Sequence, residues 1–280
     1  MTNPPDMKKL LYLFILPALL ISCQPKEKNA DAAEPATDTV AKTPVVLAVK
    51  KDARKIGPEK SAEQMMIDVA LEKMTSNGSD PGVGYWVGMF GKNKINIAIA
   101  EVKEGKALGY TVCAGNYRPI TGTVKVADGV YSFDMNEPGT DKYDGHFEFS
   151  IEVEKNSLKG TWKPFKKGVV GDKEYTLART NYTYQPGLGK YPDASTRLLT
   201  ESDVENMSAE ELEFMRNEIY ARHGYSFKDL DDRRQFDVID WYIPMGIDIR
   251  EKLTDIEVQN IDLIYRYEEY YTESYDDYGR

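Results

Sequence analysis

Apolar positions along the chain keep three rhythms, and each change of rhythm marks a segment. From Leu10 to Ile21 the run is almost unbroken, preceded by Lys8 and Lys9, and it is too short to span a bilayer comfortably. Pro17 and the polar stretch that follows argue against a packed core helix there. Residues 24–60 are mostly Lys, Glu, Ala, Asp, Pro and Thr, which bury too little apolar surface to offset the entropy of ordering. This predicts a flexible tether whose contour extends on the order of 100 Å. Ser61 with Gln64 predicts a capped helix start, and Met66, Val69, Ala70 and Met74 fall at helical spacing until Asn77-Gly78 stops the run. That Met-rich stripe is expected to face a core.

Between residues 84 and 180 the period drops to two. Ile95, Ile97 and Ile99 alternate with smaller or polar neighbours, as do Tyr131, Phe133 and Met135, and then Phe147, Phe149, Ile151 and Val153. About eight such runs occur, separated by turn chemistry at Gly91-Lys92-Asn93, Lys103-Glu104-Gly105, Asp128-Gly129, Pro138-Gly139 and Lys155-Asn156. Short strands joined by tight turns predict an antiparallel up-and-down meander, and closing it into a barrel removes exposed edges. The interior is expected to be filled by Ile95, Ile97, Phe133, Phe147, Phe149 and Trp162, the alternative being an open ligand pocket.

Gly84-Tyr85-Trp86 resembles the Gly-x-Trp opening of lipocalin-like barrels. The resemblance implies an Arg on the last strand packed over that Trp, and Arg179 is the candidate.

After a Tyr/Pro/Gly-rich connector the helical rhythm returns. Ser208 with Glu211 forms a capping box, Leu212, Met215 and Ile219 an apolar stripe, and His223-Gly224 a stop. A second start lies at Thr254 with Glu257, leading into Ile261, Ile264 and Tyr265. The run from Arg216 to Phe227, followed by Phe236, Trp241-Tyr242 and Asn260-Ile261, closely resembles the YARHG domain, a module of bacterial extracellular proteins named for the five residues at Tyr220 to Gly224. The resemblance implies an extracytoplasmic compartment and no particular activity. The residues themselves suggest a structural role. Gly224 can take the left-handed conformation that ends a helix, and Arg222 or His223 would complement the last carbonyls and the helix dipole. Asn217 and Glu218 would bond loop backbone or pair with an Arg, while Tyr220, Tyr225, Phe227 and Trp241 pack where the chain reverses.

Composition narrows the function classes. The chain of 280 residues carries 36 Lys and Arg against 46 Asp and Glu, a net charge of -10, with no continuous basic stripe, so nucleic acid is not an expected partner. Its two cysteines are Cys23 and Cys113. Leu20-Ile21-Ser22-Cys23 resembles the lipobox of bacterial lipoproteins, which implies cleavage before Cys23, acylation of its thiol with palmitate or a similar chain, and attachment to a membrane. Gln24 in place of Asp lacks the inner-membrane retention signal, so the outer membrane is expected, on either face. Cys113 is then a lone thiol, read as a small apolar strand residue.

No His-Glu-x-x-His helix, Gly-x-Ser-x-Gly elbow, phosphate loop or calcium loop occurs. Asp229-Leu230-Asp231-Asp232 reads as a helix start. No cofactor, metal or catalytic set is expected.

The fold class is α+β, with an antiparallel β-barrel-like domain followed by a small helical module. The expected organisation is a signal over 1–22, a tether over 23–60, a helix and barrel-like domain over 61–181, a connector over 182–198, the YARHG-like module over 199–272 and an acidic tail over 273–280. The expected function is that of a lipid-anchored, non-enzymatic binding protein of the cell envelope whose helical module contacts an envelope protein or glycan. The alternative is a carrier of a small apolar ligand in the barrel, and an envelope hydrolase has least support.

Overall fold

The computed structural model describes residues 62–76, 80–168 and 170–276, so Cys23 and the tether lie outside the described residues. Among the described residues no helix is long and apolar enough to cross a membrane.

Eight antiparallel strands form a meander that closes on itself: β1 (Gly84–Phe90), β2 (Asn93–Lys103), β3 (Lys106–Cys113), β4 (Asn116–Ala127), β5 (Val130–Asn136), β6 (Gly145–Glu152), β7 (Ser157–Pro164) and β8 (Lys173–Thr180). Closure comes from β1 pairing with β8, where Trp86 stands opposite Arg179. The tight connections carry the twist. Glu104-Gly105, Ala114-Gly115 and Asp128-Gly129 all have positive φ at both residues, the type I′ geometry that matches twisted strands.

Period-two alternation sends one residue in two inward. Met135, Phe147, Trp162 and Lys173 form one cross-strand row, and Phe133, Phe149, Gly160 and Tyr175 form the next. The interior is packed by Trp86, Ile95, Ile97, Ile99, Ile120, Phe133, Phe147, Phe149, Leu158, Trp162 and Leu177, so the filled-barrel expectation holds through most of the depth. Stacked and edge-on ring contacts, such as Phe133 on Phe149 at 4.8 Å between centroids, account for the aromatic share.

Helix α1 (Ala62–Ser76) lies on the outside of the barrel. Its buried face is Ile67, Ala70 and Met74, packed on Ala98, Ala100, Tyr110 and Val112. Val69, read from the sequence as part of that face, is instead 52% exposed. The contact line follows Ile67, Ala70, Leu71 and Met74, the i, i+3, i+4, i+7 positions that meet the small outward side chains of β2. Strand β2 is thereby buried on both sides.

The helical module contains α2 (Asp193–Thr196), α3 (Glu201–Val204), α4 (Ala209–Arg222), α5 (Leu230–Phe236), a 3-10 turn (Arg250–Lys252) and α6 (Asp255–Asp276). Capping boxes open α3 at Thr200/Asp203 and α4 at Ser208/Glu211, and Thr254 exchanges hydrogen bonds with Glu257 at the start of α6. Asp229 caps α5. The core of the module joins Leu212, Met215 and Ile219 of α4 to Ile261 and Ile264 of α6, with Phe227, Phe236 and Tyr242 between.

The module docks on one end of the barrel through buried polar bonds. Lys94 Nζ donates to the carbonyls of Ile239 (2.6 Å) and Tyr242 (3.0 Å), its backbone amide donates to Asp237 (3.0 Å), and Asn96 Nδ2 donates to Pro244 O (3.1 Å). At the β3–β4 turn Gly115 N donates to Ser226 Oγ (3.0 Å), and a Cβ on Gly115 would lie 2.6 Å from the Lys228 side chain, so only glycine permits this approach.

Candidate functional site

The end of α4 is built by backbone bonds. Tyr225 N donates to Tyr220 O (3.0 Å) and Gly224 N to Ala221 O (2.9 Å), the paired bonds of a Schellman motif with Gly224 at φ +73°. A Cβ on Gly224 would stand 2.6 Å from Met245. Tyr182 Oη donates to Arg222 O (2.8 Å). The last carbonyls are therefore satisfied by the reversing chain and by Tyr182, which corrects the expectation that the Arg222 or His223 side chain would complement them.

Arg222 reaches away from its own helix. Nε donates to Leu188 O (2.7 Å), Nη2 to Tyr191 O (2.9 Å) and Glu218 Oε2 (3.0 Å), and Nη1 to Ser195 Oγ (3.0 Å). Glu218, one turn earlier, accepts from the amides of Lys190 (2.6 Å) and Tyr191 (2.8 Å). Asn217 donates to Asp232 Oδ1 (2.7 Å) and accepts from Arg216 (2.8 Å). Tyr220 packs edge-on to Tyr225 at 6.1 Å, and Trp241 lies partly buried against the same core.

His223 Nε2 meets Glu257 Oε2 at 2.7 Å, and Tyr184 stacks on the imidazole at 4.4 Å between centroids. Glu257 Oε1 accepts from Ser195 Oγ (2.6 Å) and Tyr184 Oη (2.9 Å). Burial pushes the Glu257 carboxyl upward, but the hydrogen bond and charge of His223, with bonds from Ser195 and Thr254, outweigh it and the net shift is downward. Ser, His and an acid are thus together in the wrong order for acyl transfer. The acid lies between Ser195 and His223, so the serine proton is directed to a carboxylate and the imidazole nitrogen is already occupied. Ser195, His223 and Glu257 are also buried, as are Glu218 and Arg222. The network is a latch.

Residues 190–269 match the YARHG domain family. No curated protein and no solved structure matches the chain. The family match begins inside the segment read from sequence as a connector. Lys190, Tyr191 and Ser195 are where the motif side chains take hold, so this stretch belongs to the YARHG domain physically. Glu218 bonds loop backbone and pairs with an Arg, as its residue type suggested; what the sequence did not show is that the loop is 188–191 and that Arg222 grips the same stretch.

In the barrel, Arg179 lies over Trp86 with Cζ 5.5 Å from the ring, and donates to the carbonyls of Pro81 (2.8 Å) and Val83 (2.7 Å). This pair lies at the end of the barrel where β1 begins and β8 finishes.

At the other end the barrel and the YARHG domain enclose a cavity of about 420 Å³. Phe90, Ile95, Phe147 and Trp162 form its apolar lining; Thr111, Cys113, Glu137, Arg118 and Lys173 line it from the barrel, and Lys228 and Arg233 from the YARHG domain. Lys173 Nζ sits 4.2 Å from the Phe90 ring centroid and 5.4 Å from that of Trp162. Arg118 pairs with Asp144 at 2.8 Å. Glu137 Oε2 accepts from Gly145 N (2.8 Å) and Trp162 Nε1 (3.2 Å), and burial pushes its carboxyl up to about 7 against those bonds and the charge of Arg118. Burial likewise pushes the Cys113 thiol up to about 12, leaving it an unreactive wall residue. Sequence reasoning passed over Arg118, Glu137 and Lys173. The available signal was parity: Arg118 keeps the inward register of Ile120 on β4 and Lys173 that of Tyr175 on β8, while Glu137, one residue past β5, continues that of Met135.

Among the described residues one cluster has metal-ligand spacing. His146 Nε2 lies 3.8 Å from Asp134 and 3.6 Å from Glu148 on the outer face of the barrel. Glu148 also engages Lys163 at 3.2 Å, and the group forms an exposed cross-strand charge ladder.

Proposed function

We propose that this is a non-enzymatic binding protein of the cell envelope, held at a membrane by lipid on Cys23, whose barrel takes a small ligand at its mouth while the YARHG domain supplies one wall of the site. The observation that carries this reading is the cavity at the junction. Its volume falls in the range of about 300–1,000 Å³ typical of small-molecule sites, and its lining combines an apolar floor with a few convergent polar groups. The barrel thus favours the carrier over a protein- or glycan-binding role for the motif, because Glu218, Tyr220, Arg222 and His223 are all committed to internal bonds or packing and offer no surface to a partner. The lipobox-like Leu20-Ile21-Ser22-Cys23 supports the anchor.

Extraction of the purified protein followed by mass spectrometry tests the binding role. One compound class is expected in near-stoichiometric amount, and it should be missing from Thr111→Phe, which fills the cavity. Equal recovery from the filled variant would refute the site. Replacing Cys23 by Ser should abolish palmitate labelling and release the protein from membranes; unchanged labelling would refute the anchor.

A further inference from the structure

We infer that the barrel mouth binds a small amphipathic anion, an apolar or aromatic body carrying one carboxylate- or phosphate-class head; this rests on the binding role proposed above and names its ligand class. The floor sets the body. Phe90, Phe147 and Trp162 present ring surface with Ile95 beside them, and Phe90 meets Trp162 edge-on at 5.9 Å, which leaves an aromatic bed rather than a collapsed plug.

The rim sets the charge. Four cations line the cavity, and among them Arg118 is held in an ion pair, with Asp144. Among the described residues no carboxylate lies within ion-pair distance of Lys173, Lys228 or Arg233. Lys173 rests on ring faces instead, from which its ammonium can turn to a head group. Arg233 Nη1 donates to Lys228 O (2.6 Å), while its Nε is buried with no hydrogen-bond partner among the described residues. A buried guanidinium N–H without an acceptor is a costly feature unless something supplies one.

Glu137 is the acid in the lining, and its carboxyl is pushed up to about 7; Asp144 is paired with Arg118, and Asp229 and Asp237 act on Arg233 from beyond ion-pair distance. The balance at the mouth is positive in a protein whose net charge is -10, so the cavity concentrates anions against the field of the whole chain.

A matched probe pair tests this: 8-anilinonaphthalene-1-sulfonate, and N-phenyl-1-naphthylamine, the same hydrophobe without the sulfonate. Titrations use the full chain carrying Cys23→Ser, so that no acyl chain competes for the probe. The sulfonate is expected to bind at least tenfold more tightly than the amine, and Lys173→Gln with Lys228→Gln should bring its affinity down to the amine's while leaving both the amine's affinity and the melting temperature unchanged. Should the pair of substitutions lower the melting temperature, Lys228→Glu, at an exposed position, replaces it. Equal binding of the two probes, or sulfonate binding untouched by the lysine variants, overturns the anion assignment and leaves the carrier standing. Absence of binding by either probe, or binding that survives Thr111→Phe and Asn116→Trp, removes the carrier reading itself.

Discussion

Glu218 and Arg222, one helical turn apart, hold the same loop by its two polarities. The carboxylate takes the amide hydrogens of Lys190 and Tyr191, the guanidinium takes the carbonyls of Leu188 and Tyr191, and the two side chains close on each other at 3.0 Å. Gly189 sits between them at φ +97°, where a Cβ would come within 2.3 Å of the carboxylate. The motif is therefore a clamp on main chain.

Arg222→Ala is expected to destabilise by about 3–5 kcal/mol, because it leaves the Glu218 carboxylate buried and uncompensated. Arg222→Lys keeps the charge but not the fork, and should recover only part of the loss. Chemical denaturation of the full chain measures both. A parent-like Arg222→Ala variant would contradict the clamp.

Gly224→Ala should lower stability by about 1 kcal/mol or more, since the added Cβ meets both positive φ and Met245 at 2.6 Å. A thermal melt decides it, and an unchanged midpoint would show that the helix end relaxes freely.

Phe147→Ala is expected to cost about 3–5 kcal/mol, the lost transfer energy plus an unfilled space among Phe90, Trp162 and Tyr175. A loss under about 1 kcal/mol would place the ring outside and shift the register of β6 by one residue.

Glu137 has a folded-state carboxyl raised to about 7 from 4.5, so between those values the folded protein holds a proton that the unfolded chain has released. Stability linked to this group is full below pH 4.5 and falls as pH rises toward 7, by on the order of 3 kcal/mol. Glu137→Gln should remove that fall and melt higher than the parent at pH 8. Asp232, raised to about 6, titrates in the same window, so the readout is the difference between parent and variant. A constant difference from pH 4 to 8 would place Glu137 in water.

The sequence carried the barrel because alternation in β5 and β6 is strict and turn residues punctuate it. It also carried the caps at Ser208, Asp229 and Thr254, since capping is decided within four residues. On α1 the reading placed Ala70 and Met74 on the buried face correctly but put Val69 there in place of Ile67, because two overlapping apolar stripes run along the helix and contact with Ala98 and Ala100 of β2 selects the one through Ile67. The Ser195–Glu257–His223 group was invisible for a related reason: its members lie 62 and 34 residues apart, and only the docking of α6 on the connector joins them. The mouth was missed because a charge at an inward position reads, in one dimension, as an interruption of a strand.

The docking bonds of Lys94 have a consequence for how the protein comes apart. Its ammonium is held by two main-chain carbonyls of the YARHG domain, and burial draws its pKa down despite the nearby Asp237 and Asp240. Remove that domain and the barrel presents Lys94, Asn96 and the bare Ala114-Gly115 turn to water; remove the barrel and the carbonyls of Ile239, Tyr242 and Pro244 lose their donors. Two sequence modules with separate cores thus share one polar seam, and heat should melt them in a single calorimetric transition.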